Sequence, residues 1–129
     1  MSAAILDSSA ILAAILGETG GDEIFERLED AAVGTVNIAE VYAYAAINGL
    51  ATDAIDTFFT DTGIEVVPFS HEDAVSAGRL AALTRSAGLS LGDRSCLAVA
   101  MARKAEVLTA DRAWQAFAKP LDLAITLIR

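Results

Sequence analysis

The sequence predicts an α/β fold on a central five-stranded parallel sheet, and three observations carry that prediction. Short apolar or β-branched runs alternate with longer segments of helical periodicity from one end of the chain to the other. Helix-starting residues (Ser, Asn, Asp) stand at the head of most helical segments, and Gly-containing breaks stand at the end of most of them. Only two prolines are present, with no internal repeat, low-complexity tract or linker. Strands joined through helices pair in parallel and are covered by helices on both faces.

In chain order, Ala3-Ala4-Ile5-Leu6 reads as a buried strand that ends on Asp7, and Ser8-Ser9 opens an apolar helix. After a loop at residues 17–21, a helix over residues 22–29 places Ile24, Phe25 and Leu28 on one face. Residues 32–36 form a second strand, and Asn37-Ile38-Ala39-Glu40 opens a helix that Asn48-Gly49 stops. A helix over residues 52–60 and a third strand over 64–69 follow. Ser70, with Asp73 three residues on, starts a helix that reaches about residue 86. Leu91-Gly92-Asp93 begins a helix that closes near Lys104. Val107-Leu108-Thr109 is the fourth strand, Asp111 precedes a short helix containing Trp114, and residues 123–128 form the fifth strand.

A chain of 129 residues with 54% hydrophobic content reads as one domain, 1–129, able to bury its own core. No apolar run is longer than that of residues 10–16, which is far too short for a membrane span. No Lys or Arg precedes Arg27, which argues against a basic-headed secretory signal, and the lone Cys96 permits no internal disulfide. A cytoplasmic location is therefore expected. Net charge is −9, but it is unevenly spread. Residues 1–78 hold fourteen acids and one basic residue, Arg27, whereas residues 79–129 hold eight basic residues and four acids. Arg79, Arg85, Arg94, Arg103, Lys104 and Arg112 could attract a polyanion to one surface while acids repel it from another. Ordinary solvated helix faces explain the same charges.

Four carboxylates fall at the end of the sheet where α/β proteins place their ligands. Asp7 follows strand one, Glu40 and Asp93 lie in first helical turns, and Asp111 follows strand four. Each has a plain explanation: Asp residues cap helices, and Asn37-x-x-Glu40 has the form of a capping box. Two features weigh against caps alone. Glu40 is the only charge in a helix that is apolar nearly all round, Ile38 to Ile47, and the helix after Asp93 is also mostly apolar. Carboxylates in such surroundings need a partner. Gathered together they would also repel, by about 4 kcal/mol for a pair about 4 Å apart at an effective dielectric of about 20. Hard divalent cations, which take oxygen ligands, resolve that repulsion. The apolar surround of Tyr42, Tyr44 and Ile47 further points to a second subunit or a partner helix against this segment.

Other chemistries lack their residues. One His and one Cys cannot build a zinc site, and His71 beside the cap Ser70 reads as exposed. There is no Walker A loop and no Gly-x-Gly-x-x-Gly. A receiver domain would need an acid beside Asp7 and a Lys after the last strand. A haloacid-dehalogenase phosphatase would need an Asp where Ser9 stands. Cys96 reads as a small packing residue.

Four segments together resemble the PIN-domain ribonucleases, most of all the VapC-type toxins of toxin–antitoxin systems. They are Ile5-Leu6-Asp7-Ser8-Ser9-Ala10-Ile11-Leu12, Asn37-Ile38-Ala39-Glu40-Val41, Leu91-Gly92-Asp93-Arg94-Ser95-Cys96-Leu97-Ala98 and Leu108-Thr109-Ala110-Asp111-Arg112-Ala113-Trp114. Each is weak alone; their order and spacing make the resemblance specific, and it runs the length of the chain. It implies a PIN-like α/β/α sandwich and a Mg²⁺- or Mn²⁺-dependent endoribonuclease whose metal ligands and catalytic acids are Asp7, Glu40, Asp93 and Asp111. Asp7 and Asp93 would hold the main ion, Glu40 and Asp111 would complete the site, and Ser9 and Thr109 would support the acids. It also implies an RNA substrate, a homodimer and a cognate antitoxin that blocks the site. The acidity of the chain departs from what an RNA-cutting enzyme needs at its surface. Two rivals remain at this point: a PIN-fold nuclease of RNA maturation or of DNA, and a non-catalytic binding module stabilised by metal.

Overall fold

The computed structural model describes residues 3–129. Five strands, β1 (Ala4–Leu6), β2 (Ala31–Gly34), β3 (Glu65–Val67), β4 (Glu106–Thr109) and β5 (Ile125–Leu127), form one sheet in the order β3-β2-β1-β4-β5. All four pairings are parallel; Leu6 stands beside Val33 on one side and Leu108 on the other. Seven α-helices cover the sheet: α1 (Ser8–Leu16), α2 (Gly21–Arg27), α3 (Thr35–Ile47), α4 (Asp53–Asp61), α5 (His71–Arg79), α6 (Ala81–Thr84) and α7 (Leu91–Arg103). Short 3-10 turns occupy Leu28–Asp30, Arg85–Ala87 and Arg112–Phe117.

Alternation along β1 divides the core in two. Ala4 and Leu6 face a cluster built from α1 to α4, with Ile11, Ile24, Val41, Ile55 and Phe58. Ile5 faces the other cluster, built from α5, α7 and the Arg112–Phe117 turn, with Leu97, Val99, Val107 and Trp114. The result is an α/β/α sandwich. Trp114 is fully buried and anchors the turn that follows Asp111. Its truncation to Ala would cost about 3–5 kcal/mol.

The strand order reverses between β1 and β4: β2 and β3 extend from one side of β1, and β4 and β5 from the other. Loops leaving the carboxyl ends of β1 and β4 therefore part, and the crevice between them is where such folds bind ligands. Asp7 follows β1 at this point, and Asp111 follows β4 by two residues.

Several local expectations are corrected. Helix α3 starts at Thr35, two residues early, with Gly34 as an N-cap that makes no side-chain hydrogen bond. Thr35 Oγ1 instead accepts from the Phe69 N–H at 3.1 Å, tying the end of β2 to the segment leaving β3. Asn37 thereby lies inside the first turn and caps nothing. The helix expected over residues 70–86 is broken into α5, α6 and a 3-10 turn. Thr84 Oγ1 donates to the Leu80 carbonyl at 2.9 Å, a back-bond that bends helices, and Gly78 weakens the turn before it. Phe25 does not share the buried face of Ile24; it is 51% exposed beside the ring of Phe58.

Candidate active site at the strand-order reversal

Asp7 is buried at 3% exposure, and both its oxygens are held. Oδ1 accepts from Ser9 Oγ at 2.7 Å and from the Ala10 N–H at 2.9 Å, so the residue does cap α1. Oδ2 accepts from Thr109 Oγ1 at 2.6 Å, a contact spanning 102 residues of sequence. Thr109 Oγ1 in turn accepts from the Asp111 N–H at 3.0 Å, and Ser9 Oγ from the Ala110 N–H at 2.9 Å. Two hydroxyls thus clasp the Asp7 carboxylate and fix the loop after β4 against it. Asp111 is exposed; its Oδ1 caps the next turn by accepting from the Ala113 N–H at 3.0 Å. Oδ2 of Asp111 carries no such bond.

Glu40 and Asp93 meet through Asn37 and Gly92. Asn37 is fully buried, and its Nδ2 donates to Glu40 Oε1 at 2.8 Å and to the Gly92 carbonyl at 3.1 Å. Its Oδ1 has no partner among the described residues. The Glu40 carboxyl lies directly over the Cα of Gly92: a Cβ at that position would fall on the carboxyl itself. Asp93, the next residue, closes a capping box with Ser90, its Oδ2 accepting from the Ser90 N–H at 2.9 Å.

Electrostatics join the acids. Burial pushes the Asp7 carboxyl up to about 6, against the hydrogen bonds from Thr109, Ser9 and Ala10, and the charge of Asp93 adds to the rise. The fully buried Cys96 thiol is pushed well up by burial first and then by the fields of Asp7, Asp93 and Glu40. All three carboxylates therefore lie within electrostatic reach of one buried side chain. Asp111 is joined to them by main chain and Thr109. Cys96 is a packing residue, and His71 is exposed.

A divalent ion fits this donor set in kind. Asp7 is a buried carboxylate, and the ion pairs among the described residues involve other acids: Glu106, Glu65 and Glu18. All candidate donors are oxygens, as hard cations require. The cradle over Gly92 admits the Glu40 carboxylate where any side chain would exclude it. As placed, no three His, Cys, Asp or Glu side chains among the described residues form a metal-binding group. Local bonds bear on this: Ser90 and Ala113 each hold an acid at its own helix start, Asn37 holds Glu40 over Gly92, and like charges favour separation.

Two residues escaped the sequence reading. Asn37, which has the sequence form of a cap, is a buried bridge between Glu40 and α7. Gly92, which has the sequence form of a helix starter, is the seat of Glu40; a glycine beside a suspected acid in a first helical turn is the available signal. The support expected of Ser9 and Thr109 is present in full.

No helix among the described residues is long and apolar enough to cross a membrane. No curated protein sequence matches the chain. Among solved structures it resembles a chain of DNA-bound VapBC from Salmonella typhimurium, with 19% identity, TM-score 0.75 and 100% of each chain covered. It also resembles a chain of FitAcB from Neisseria gonorrhoeae, with 16% identity, TM-score 0.72 and 97% of each chain covered. A third neighbour is VapBC-5 of Mycobacterium tuberculosis, from the VapBC family of toxin–antitoxin systems, with 22% identity and TM-score 0.64, covering 97% of this chain and 98% of that one. At these identities the likeness establishes the fold. The sequence profile of the PIN domain matches residues 4–120, and the chain belongs to the PIN domain family.

Proposed function

We propose that residues 1–129 form a single nuclease domain that hydrolyses RNA phosphodiester bonds with Mg²⁺ or Mn²⁺, as the toxin of a cytoplasmic toxin–antitoxin pair. The observation that carries this reading is Asp7: a buried carboxylate with no cationic partner among the described residues, at the strand-order reversal, within electrostatic reach of Asp93. The full-length likeness to chains of VapBC and FitAcB structures supports the toxin class.

Asp7 and Asp93 would hold the ion, with Glu40 and Asp111 completing the site. When bound, the ion supplies stabilisation of charge on the phosphate and a lower pKa for the attacking water. The chain's own residues do the rest. Ser9 and Thr109 stop the Asp7 carboxylate from rotating, so its free lone pairs stay aimed at the crevice. Asn37 holds Oε1 of Glu40 and leaves Oε2 to orient the water; Oδ2 of Asp111 is available for the same task. Water adds to phosphorus as the bond to the leaving ribose oxygen breaks, giving a phosphate and a hydroxyl end.

Partners follow from the α1–α4 layer. An apolar groove of about 390 Å³ lies between α1, α2 and α4, lined by Ala14, Ile15, Phe25 and Phe58 with Asp53 and Asp61 at its edge. Its charge suits an antitoxin segment with apolar anchors and basic flanks. A homodimer would cover the exposed side of α3, where Tyr44 is 39% and Ile47 84% exposed.

The test is cleavage of RNA by the purified protein in Mg²⁺ or Mn²⁺. The wild type is expected to turn over, and Asp7→Asn to lose at least about 100-fold. Metal-induced stabilisation without cleavage of any RNA would make the protein a binding module and overturn the reading.

A further inference from the structure

The charge asymmetry seen along the sequence becomes an asymmetry across the sheet. Every helix of one layer, α1 to α4, lies within residues 8–61, where Arg27 is the only basic residue among ten acids. Arg27 is itself paired with Glu106 at 2.8 Å. The opposite layer carries Arg79, Arg85, Arg94, Arg103 and Arg112. Within that layer the signs are sorted again. Arg94 Nη1 donates to the Ala77 carbonyl at 2.9 Å, so the end of α5 lies against the start of α7, beside Asp93. At the opposite end, Arg103 feels the charge of Asp73 and is paired with Glu65. Glu72 and Asp73 thus sit at the far end of α5, while Arg79 closes its near end.

The cations at the near end are uncommitted. The ion pairs among the described residues are Arg27–Glu106, Arg103–Glu65 and Arg129–Glu18. Arg79, Arg85 and Arg112 are exposed and belong to none of them. Arg112 directly follows Asp111, and Arg85 lies in the turn leading to Ser90 and the start of α7. The unpaired arginines thus stand on elements that lead to or follow the segments carrying Asp93 and Asp111, all on the α5–α7 side of the sheet.

We propose that RNA reaches the acid site across the α5–α7 layer, with phosphates flanking the cut held by Arg79, Arg85 and Arg112, while the acidic α1–α4 layer turns RNA away. This rests on the ribonuclease reading and adds the substrate path. Guanidinium groups suit it because they pair with phosphate in two-toothed fashion and stay charged at any working pH.

The experiment measures binding of a mixed-sequence single-stranded RNA of about 20 nucleotides. It uses Asp7→Asn protein in Mg²⁺, which removes hydrolysis and one repelling charge, and follows anisotropy across a KCl series. Wild-type cleavage of the same RNA is measured in parallel. The path variant carries Arg79→Gln, Arg85→Gln and Arg112→Gln. The control carries Lys104→Gln and Lys119→Gln, which are exposed and lie away from the rim residues in sequence. For single strands each lost phosphate contact lowers the slope of log K against log salt by about 0.7, so the path variant should lose about 2 in slope and at least about tenfold in affinity. The control should lose neither, and in the cleaving protein the path substitutions should raise KM more than they lower kcat. Wild-type cleavage with an unchanged slope in the path variant overturns the path and leaves the ribonuclease reading standing. An equal loss in the control also overturns it. Absence of both cleavage and salt-dependent binding in the parent proteins overturns the path together with the reading beneath it.

Discussion

Replacing Asp7 by Asn should make the metal-free protein more stable at neutral pH, although it removes a hydrogen-bonded residue from the core. The ordinary aspartate value is 3.8, and in the fold the group is held at about 6. At 1.36 kcal/mol per unit, holding Asp7 ionised costs the fold about 3 kcal/mol above pH 6. Asn keeps an acceptor for Ser9 and the Ala10 N–H, but its Nδ2 faces Thr109 Oγ1, whose hydroxyl must stop donating. That lost bond costs about 1 kcal/mol, leaving a net gain of about 2 kcal/mol. For a domain of this size that is a rise in Tm of about 8 °C in chelator at pH 7. The pH dependence carries the sign. Because the folded value is raised, the stability of wild type from this group is full below about pH 4 and is lost as pH climbs through 6. The two proteins should therefore melt together, or with the variant slightly lower, near pH 4, and separate as pH rises to 7. Thermal melts at half-unit steps from pH 4 to 7.5 in chelator make the measurement. A gap that does not change with pH, or a variant less stable at pH 7, would refute the argument that burial strains this carboxylate.

Four further outcomes are expected. In Mg²⁺ or Mn²⁺ the wild type should gain stability by mass action, about 2.7 kcal/mol at a hundredfold excess over Kd, and Asp93→Asn should lose most of the gain while keeping its cap on Ser90; equal melting shifts would remove Asp93 as a ligand. The apparent affinity for the ion should fall about tenfold per pH unit below pH 6 and level off above it, as proton and ion compete for Asp7; a flat titration from pH 5 to 7 contradicts this. Gly92→Ala should fold within about 1 kcal/mol of wild type, since the Glu40 side chain can swing away, yet lose at least about tenfold in cleavage, and Glu40→Gln added to it should do little more. Additive losses would mean the two residues act separately. Tyr44→Asp should lower the mass seen by light scattering without changing the far-UV spectrum, and an unchanged mass would discard α3 as the dimer face.

The element order was legible from residues 3 to 129 because its signals are local. Ser70 with Asp73 announces α5 within four residues, and the capping box is present as expected. Asn48-Gly49 ends α3 where it was expected to end. Where a distant partner intervened, the reading failed. The early start of α3 depends on the Phe69 N–H reaching Thr35, 34 residues away.

The candidate site divides the same way. The sequence by itself determined the candidate acids, because Asp7, Asp93 and Asp111 stand at strand ends or helix starts written in neighbouring residues, and Glu40 is the only charge in an otherwise apolar helical segment. It also determined that acids and bases occupy different halves of the chain. Only the tertiary structure decided that β1 and β4 lie side by side, which brings Thr109 onto Asp7, and that α3 crosses α7 closely enough for Glu40 to rest on Gly92. It also decided that the acidic segment 8–61 covers one face of the sheet and that Arg79, Arg85, Arg94, Arg103 and Arg112 lie on the other, with Glu72 and Asp73 of α5 among them. Helix and strand signals act over one to four residues, whereas strand order and helix crossing are fixed by burial of both faces of the sheet at once. That condition involves the whole chain, and no short stretch of sequence contains it.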